Sequence, residues 1–597
     1  MSKGDALVYD MSQSSEGSSS VFVKRDWLNI LDNQNGNYQG NQVVLDTSQL
    51  ANSNKYMAYR EAYLSIPLIM TATSGVNGAA TASMLPASQS VDYAFGLKNW
   101  FGSIVHSMTL DLAGTTIVQQ TPLCSLWQSF VLMTTLSLND VATNGAQMGF
   151  YPDDPLAWGF IPTGATQAGQ GVCSSSNAES LSQDMSVFTT YRRYNKGFLE
   201  RQRYFALDPA GAPGGLSGGA TFSQVLTTQS MNSLYKSYIF NKVDANGTNY
   251  SVIQYQIQAT LQLKHIHNFF QQIPLLKGLF LRMTLNVNQP TAVIGVGAGN
   301  ALTINSVTTP LGGVSPIMVA SADNLPTGYI YTTNAVDGAG AGATVSAVVP
   351  NGSANFQQQD TVTVSLAVGN KVLNTAQVNL AGVQATSALN QSVFLYVPAY
   401  TFNPTFEEAY LASPTKQIVY TDIYQFPTAT VSSGSQFNFL ITNGIANIKS
   451  VLVLPFFTAS GASTVRPIAS PFDPAGAGPT SPMALISNFN ITVAGQNMIY
   501  NTQRYAFEQF MNQLQGCNAV NADLVDGLTS SLVDKLGFEQ EYCYYYVDCS
   551  RMLPVDEAVP KSVQITGTNM STQSVQYITF IEYGVQVGVD VLTGSRV

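Results

Sequence analysis

Two stretches of the chain, Met108–Gly114 (MTLDLAG) and Phe489–Gly495 (FNITVAG), share one pattern, and this pattern decides the fold. In each stretch apolar and polar residues alternate up to an Ala-Gly pair, and alternation with a period of two indicates a half-buried strand. A short apolar segment follows each pair, Ile117-Val118 in one case and Met498-Ile499 in the other. Each copy therefore predicts a strand, a tight turn and a second strand.

A helix is predicted after each of these units. The first follows Thr121-Pro122, because threonine is a good N-cap and proline suits the first helical position; its apolar residues at helical spacing are Leu123, Leu126, Trp127, Phe130 and Val131. The second begins at about Arg504 and has on one face Ala506, Phe507, Phe510, Met511 and Leu514. Gly495 aligns with Gly114 at an offset of 381, and Ala506 aligns with Leu126 at an offset of 380. We interpret the two units as an internal duplication.

Strand patterns dominate the rest of the chain. Alternation is clearest in Val575–Val591 and in Leu279–Val287, and further strand candidates are Val393–Val397, Ser450–Leu454 and Val563–Thr566. If each copy ends in its alternating strand, the domain junction lies near Gln289-Pro290. The expected organisation is an N-terminal arm over 1–45, a first domain over 46–290 with a loop insertion at about 140–220, and a second domain over 291–597 with long loops at about 291–390.

The composition excludes several classes of protein. The 597 residues carry 25 Lys and Arg against 35 Asp and Glu, so the net charge is −10 and only 10% of residues are charged, where soluble domains have about 25%. A hydrophobic content of 45% is too high for a disordered chain. A pI of about 4.8 argues against a dedicated nucleic-acid binder. We expect neither a transmembrane segment nor a signal peptide, and a surface this poor in charge is badly suited to a free monomer.

No catalytic, cofactor or metal site is predicted. His265 and His267 could start a metal site on one strand face, but no third ligand follows nearby, so we expect exposed or hydrogen-bonded strand histidines. With His106 as the only other histidine and no G-x-S-x-G motif, a catalytic triad is not expected. We therefore predict that the chain is not an enzyme.

Other residues that could carry chemistry have structural interpretations. Adjacent carboxylates on an extended chain point to opposite faces, so we interpret three doublets as solvated loop residues: Asp153-Asp154, Glu407-Glu408 and Asp556-Glu557. The glycines at 295, 297 and 299 and at 338, 340 and 342 have the wrong spacing for a phosphate-binding turn. Tyr544-Tyr545-Tyr546 should pack on both faces of a strand. The five cysteines are predicted to be free buried thiols: Cys124, Cys173, Cys517, Cys543 and Cys549.

Three longer segments carry a resemblance to a known family. They are SIVHSMTLDLAGTTIVQQTPLCSLWQSFVLMTTLS followed by GFYPDDP; ITNGIANIKSVLVLPFF preceded by FLYVPAYTFNP; and ISNFNITVAGQNMIYNTQRYAFEQF through GLTSSLV, YYYVDCSRMLP and VPKSVQITGTN to the C-terminus. In number and order they resemble the double jelly-roll major capsid proteins, most closely those of polinton-like viruses and virophages. The stretch Pro290–Leu389 matches nothing in that family.

The resemblance implies an all-β fold of two tandem eight-stranded antiparallel jelly rolls, with short helices and long surface loops. It further implies a homotrimer with a pseudo-hexagonal outline, and many such trimers tile an icosahedral shell around a double-stranded DNA genome. The implied location is the virion, which is assembled inside the infected host cell. The implied partners are neighbouring trimers, a single jelly-roll penton protein and minor capsid proteins, with no sequence-specific nucleic-acid binding. Two alternatives stay open at this point. One is a β-sandwich binding or surface-layer protein, and the other is a glycoside-active enzyme on a jelly-roll scaffold, which needs two convergent carboxylates.

Overall fold

A computed structural model shows how the chain folds, and most of its ordered framework is β-sheet. It describes residues 20–38, 40–50, 53–76, 91–97, 100–119, 122–152, 235–243, 249–278, 280–296, 302–313, 315–321, 329–333, 344–346, 361–369, 392–442, 444–457, 484–499, 505–517, 531–540, 542–550, 559–571 and 574–596.

Strands outnumber helices in both halves of the chain. In chain order, the elements up to residue 290 are β1 (Phe22–Leu31), β2 (Gln42–Asp46), β3 (Tyr56–Met57), β4 (Tyr63–Val76), β5 (Val91–Leu97), β6 (Val105–Leu112), β7 (Thr115–Val118), α1 (Cys124–Thr135), α2 (Leu138–Met148), β8 (Tyr235–Val243), β9 (Asn249–Gln262), α3 (Leu263–Ile266), α4 (Phe269–Gln272) and β10 (Leu281–Val287). Short 3₁₀ turns cover Ser48–Leu50, Tyr59–Glu61 and Phe101–Ile104.

After residue 290 the elements are β11 (Thr291–Val296), β12 (Leu302–Thr308), β13 (Ile317–Ser321), β14 (Tyr329–Thr333), β15 (Thr344–Ser346), β16 (Thr361–Val368), β17 (Phe394–Phe402), α5 (Pro404–Leu411), β18 (Thr415–Pro427), β19 (Gln436–Ile441), β20 (Ile448–Phe457), β21 (Ile486–Val493), β22 (Gln496–Asn497), α6 (Phe507–Cys517), α7 (Lys535–Gln540), β23 (Tyr545–Asp548), β24 (Val563–Asn569) and β25 (Val575–Asp590).

The second half of the chain forms one complete eight-stranded roll. Its strands pair in the orders β18-β25-β20-β23 and β19-β24-β21-β22, and every pairing is antiparallel. If the eight strands are lettered B to I in chain order, the two sheets are B-I-D-G and C-H-E-F. This is the connectivity of a jelly roll, in which two Greek keys share a sandwich.

The first half repeats this topology. One sheet contains the order β1-β17-β4 with β9 on the far side of β4, and the other has the order β2-β10-β6-β7. Lettered in the same way, these are again B-I-D-G and C-H-E-F, with β17 as the last strand. The predicted all-β fold of two tandem antiparallel jelly rolls is confirmed.

The topology corrects the predicted domain boundaries. β17, which the sequence pattern placed in the second domain, pairs with β1 along nearly its full length and closes the first roll. The boundary expected near Gln289-Pro290 lies within a long insertion between β10 and β17. The arm expected over 1–45 also contains β1 and most of β2, and the remaining residues 1–19 lie outside the described ones. Strand partners more than a hundred residues apart leave no local periodicity in the sequence, which is why the sequence pattern predicts a junction within this Gly- and Ala-rich insertion.

The insertions of the first roll pair with one another. β16 extends the sheet along β4, β11 pairs with β16, and the strand β5 between β4 and β6 is flanked by β13 and β14. Of the loop insertion expected at about 140–220, the structure describes residues up to 152, including α2. The long loops expected at about 291–390 thus contain short strands that lengthen one sheet and build a further four-stranded one.

The Ala-Gly turns occupy the same place in both rolls, and this supports the duplication. Ala113 and Ala494 have positive φ angles of 47° and 50°, and the glycines that follow them have 83° and 80°. Two left-handed residues in succession make a type I′ hairpin, whose twist suits the strands it joins. Each alanine N–H also donates to the carbonyl before the neighbouring strand, Phe280 in one roll (2.8 Å) and Ser562 in the other (3.0 Å).

Most predicted strands and both predicted helices are present, with shifted ends. α1 starts at Cys124 with Leu123 as its N-cap in a left-handed conformation, so the helix begins later than predicted; Thr121 itself lies outside the described residues. The two alternating strands were expected to be the last strands of the two copies, but they do not correspond to each other. Leu281–Val287 corresponds to Val563–Asn569, since both are strand H, whereas Val575–Asp590 corresponds to β17.

Replacing Ala494 by asparagine should stabilise the second roll. An alanine in the left-handed region costs about 1–2 kcal/mol, which asparagine partly avoids, and Asn-Gly is the preferred pair for a type I′ turn. We expect Ala494→Asn to raise the free energy of unfolding by about 0.5–1 kcal/mol in urea denaturation. The exposed Ala412 has an ordinary helical φ of −56°, so Ala412→Asn serves as the control and should give no gain. Equal effects of the two substitutions would contradict the turn assignment.

Candidate assembly interface

The two rolls are joined by a buried interface in which α1 of the first roll covers a sheet of the second. Trp127 lies 6.2 Å from Phe580 of β25, measured between ring centroids. Phe130 packs edge-on against Tyr544 at 5.0 Å and lies 5.2 Å from Tyr546. The rings meet on the outer face of the B-I-D-G sheet, away from that roll's own core. Aromatic pairs of this kind contribute beyond the area they bury.

α1 is buried on nearly every side as a result. One side packs on β6 and the turn Phe101–Ile104 of its own roll, and the other faces the second roll. The carbonyl of Met133 at its C-terminal end accepts a hydrogen bond of 2.9 Å from the backbone N–H of Leu532. A helix that is apolar all round is one that lies inside a larger protein, and this explains why LCSLWQSFVLM lacks a polar face.

The histidine pair lies at a second contact between the rolls. The segment forms the helical turn α3, so the expected strand is wrong, and His267 directly follows it. The Nδ1 atom of His267 accepts from the backbone N–H of Phe269 (3.1 Å), so its proton resides on Nε2, which donates to Oδ1 of Asp422 in β18 (3.2 Å). Both side chains are buried. The expectation of a hydrogen-bonded histidine is confirmed for His267.

Asp422 is held by further donors from the second roll. Its Oδ2 atom accepts from the Tyr583 hydroxyl at 3.2 Å, and its Oδ1 atom also accepts from the backbone N–H of Ile423 at 2.8 Å. Burial and the neighbouring Asp422 raise the pKa of Tyr583 above its ordinary value, so the phenol stays a donor. All of these donors must be in place together, because a buried carboxylate that loses one partner is left with an uncompensated charge. The contact therefore depends on one particular geometry.

His265 has a different environment. Its Nδ1 atom is buried without a hydrogen-bond partner. Burial lowers the pKa of His265 to about 4, and the adjacent Lys264 adds to the effect. In the part of the chain that the structure describes, no three His, Cys, Asp or Glu side chains lie together as a metal site needs.

The remaining candidate residues have structural roles or lie outside the described part. Glu407 in α5 accepts from the Tyr56 hydroxyl at 2.8 Å, while the other two carboxylate doublets fall outside the described residues. Gly295 lies in β11, whereas the other glycines of the two clusters fall outside the described residues. Tyr545 points into the second roll, where its hydroxyl accepts from the N–H of Ile486 at 2.8 Å, opposite to Tyr544 and Tyr546. Packing on both faces is thus confirmed for this run.

Three cysteines are buried thiols, as expected: Cys124, Cys543 and Cys549. Burial raises the pKa of the Cys124 thiol to about 12, which makes it unreactive. Cys173 lies outside the described residues, and Cys517 is the last residue of α6. Among the described helices, none combines the length and the apolar character needed to cross a membrane.

The corresponding outer sheet face of the first roll is open, a feature that the sequence patterns did not predict. We call it the aromatic face and define it by Trp27, Tyr63, Phe394 and Tyr396. Trp27 keeps 48% of its surface exposed, and the other three are half-buried. Tyr63 stacks on Tyr396 with centroids 5.0 Å apart, and Trp27 meets Tyr63 edge-on at 5.7 Å.

The alternation of β17 could have revealed this face. Leu395, Val397 and Ala399 are fully buried in the core, so the residues between them must point outwards. Arg25 lies over Trp27, with its guanidinium carbon 4.9 Å from the ring centroid, and pairs with Glu61 at 2.8 Å. Exposed aromatic rings combined with arginine are the composition enriched at the cores of protein interfaces.

Known proteins were compared with the chain. No family model and no curated protein matches it. Among solved structures, it is similar to the Sputnik virophage structure at 3.5 Å resolution by cryo-EM, with 11% identity, a TM-score of 0.47 and coverage of 97% of this chain and 89% of that one. It is also similar to the mavirus major capsid protein (10% identity, TM-score 0.40, coverage 99% and 94%) and to the Faustovirus major capsid protein (9%, 0.40, coverage 98% and 94%).

Truncation of Trp127 should show how much the contact between the rolls contributes to the free energy of unfolding. Trp127 is only 6% exposed and bridges the rolls, so Trp127→Ala is expected to cost about 3–5 kcal/mol of unfolding free energy. The equivalent residue of the duplication, Phe507, is half-buried in the single chain, and Phe507→Ala should cost clearly less. Urea denaturation followed by tryptophan and tyrosine fluorescence measures both. A larger loss at Phe507 would contradict the assignment of Trp127 as the anchor.

Acid should weaken the fold through His265. Its pKa in the folded chain, about 4, is below the ordinary value of 6.5, so the folded form binds its proton later than the unfolded form. The stabilising contribution is complete above about pH 6.5 and is lost as the pH falls towards 4, by about 3 kcal/mol in total. His265→Gln should flatten the fall in melting temperature over this range.

His106 provides the comparison for this experiment. Burial also lowers the pKa of His106, so His106→Gln should change the acid dependence in the same direction. An unchanged pH profile in His265→Gln would refute the assigned role of His265.

Proposed function

We propose that the chain is a major capsid protein. Three copies form a pseudo-hexagonal trimer, and trimers tile an icosahedral shell that encloses a double-stranded DNA genome. The protein acts by assembly and has no catalytic role. Its place is the virion, after assembly in the infected cell.

The observation that carries the proposal is the doubled roll. Two jelly rolls of identical strand order, each with the same Ala-Gly hairpin and following helix, are fused through a buried interface. Jelly rolls occur in viral capsid, lectin and cupin domains. A binding protein does not require a second roll whose outer sheet face is covered by the first. A ring built from jelly rolls does require a buried contact between each roll and the next.

The surface composition supports assembly. Only 10% of residues are charged, and burying unpaired charge is what makes contact between protein surfaces costly. The aromatic face in turn leaves large apolar side chains exposed on a single chain. Exposed apolar patches of this kind mark surfaces that meet further copies or partners.

The insertions of the first roll support an outward-facing end. β5 comes from the connection between β4 and β6, and its neighbours β13 and β14 come from the connection between β10 and β17. Elaborate loops on a rigid sandwich are where recognition usually takes place. We assign this end to the outside of the shell. A single jelly-roll penton protein would fill the five-fold vertices, and minor capsid proteins would be further partners.

The full chain should form trimers in solution. Light scattering coupled to size exclusion is expected to give three times the 64.0 kDa of one chain, and negative-stain images should show particles with a hexagonal outline. Neutral contacts are little screened by salt, so the trimer should persist as the ionic strength is raised. A monomer at every salt and protein concentration would contradict the proposal and favour a β-sandwich binding protein.

A further inference from the structure

Two neighbouring residues of β18, Thr421 and Asp422, are bound by the first roll. The backbone N–H of Thr421 donates to Oδ1 of Asn268 at 3.0 Å, and Nε2 of His267 donates to Oδ1 of Asp422 at 3.2 Å. His267 and Asn268 are themselves neighbours, in the short connection between α3 and α4. This part of β18 is therefore one of the places where the second roll is hydrogen-bonded to the first.

Glu582 of β25 binds the same stretch of β18 from within the second roll. Its carboxyl group is hydrogen-bonded to the Thr421 hydroxyl, and its Oε2 atom accepts from the Ser450 hydroxyl of β20 at 2.6 Å. Glu582 lies two residues from Phe580, so both side chains are on the outer sheet face, where Trp127 of α1 packs. Glu582 thus holds, beside the aromatic contact, a residue that the first roll also holds.

Neighbouring side chains cover Glu582 on the side away from α1. Gly584 has no side chain, and a Cβ atom added there would lie 2.5 Å from the amide nitrogen of Asn447 and 3.2 Å from Cε of Lys449. Glu582 is half-buried beside them. Burial raises the pKa of Glu582 above its ordinary value of 4.5 and outweighs the two hydroxyl groups, which favour the carboxylate form.

The charged groups around Glu582 act in opposite directions. Asp548 at the end of β23 opposes ionisation of Glu582, and Lys449 favours it. α1 carries no charged side chain, and its one titratable group is the Cys124 thiol. Three titratable groups lie on the other side of the strand pair β18-β25: Asp422, Tyr583 and His267.

We propose that Glu582 makes the contact between the two rolls depend on a bound proton. With the proton bound, the neutral carboxyl group stays in its half-buried place on Thr421, whose N–H faces Asn268. When the proton leaves, a carboxylate remains near Asp548 at the edge of a covered face, where an ion is costly. Its displacement towards water loosens Thr421, and the contact with the first roll weakens.

The folded chain holds this proton to a higher pH than the unfolded chain. The stabilising contribution is complete below the ordinary value of about 4.5 and is lost as the pH rises through the raised pKa of Glu582. His265 has the opposite dependence, because its pKa is lowered. The contact lies within one chain, so its proton dependence is independent of the proposed assembly.

The test compares Glu582→Gln with the unmodified full chain, because glutamine keeps the size of the neutral carboxyl group and cannot ionise. Glu508→Gln is the control. Glu508 is exposed on α6, and its own backbone N–H and Lys535 lower its pKa. Urea denaturation at one protein concentration gives the folding equilibrium constant at pH 4 and pH 8. Hydrogen exchange at the same pH values reports on α1 and on the segment His267–Gln272.

The folding constant of Glu582→Gln relative to the unmodified chain is expected to rise between pH 4 and pH 8, by about tenfold for each unit of the pKa shift. Exchange in α1 and His267–Gln272 should be slower in Glu582→Gln at pH 8 and equal at pH 4. For Glu508→Gln the relative constant should fall over the same range.

Two outcomes would overturn the proposal. A relative constant of Glu582→Gln that is the same at pH 4 and pH 8 would show that Glu582 holds no proton beyond its ordinary range. A constant that rises as expected while exchange in α1 and His267–Gln272 stays unchanged would confine the effect to the second roll, and Glu582 would then have no influence on the contact between the rolls.

Discussion

The packing of α1 on the outer face of a foreign sheet is the interaction on which the rest of this structure depends. A jelly roll buries the inner faces of its two sheets without help, but in the second roll the outer face of β25 and β23 is also apolar. Trp127 and Phe130 pack on Phe580 and Tyr544 of this face. Each such side chain gains about 1.5–3 kcal/mol from burial. The two rolls therefore share a buried aromatic interface, and the hydrogen bond from His267 to Asp422 adds a polar contact between them.

Local patterns predicted much of this fold because the features concerned are local. The Ala-Gly pairs require two successive left-handed residues, and a turn of this type joins only adjacent antiparallel strands. The spacing of Trp127 and Phe130 likewise fixes a helix, and the alternation in β10 and β25 fixes half-buried strands. The duplication was visible because both copies retain the hairpin and helix, which have the least freedom to vary.

What the sequence could not reveal is which distant strands become partners. β1 and β17 are separated by more than 360 residues, and neither contains a mark that identifies the other. The strand predicted at His265 and His267 is wrong for a related reason. LQLKHIH alternates like a strand, but a buried carboxylate from the other roll and a turn of helix decide its conformation. The aromatic face could not be predicted, because the apolar run Val393–Val397 shows no alternation that separates a buried side from an exposed one, whereas in the structure Leu395 and Val397 fill the interior and Phe394 and Tyr396 point outwards.

The outer faces of the sheets give a physical reason for the scarcity of charged residues. In the sheet β19-β24-β21-β22, all of whose strands are described, no residue is charged. Its outer face instead carries amides that bond to one another, such as Gln564 to Asn438 and Asn490 to Asn497, both at 2.9 Å. An amide already bonded to a neighbour loses little when a second protein displaces water, whereas a lone carboxylate loses several kcal/mol. Neutral side chains thus let a sheet face be covered or left in water at similar free energy.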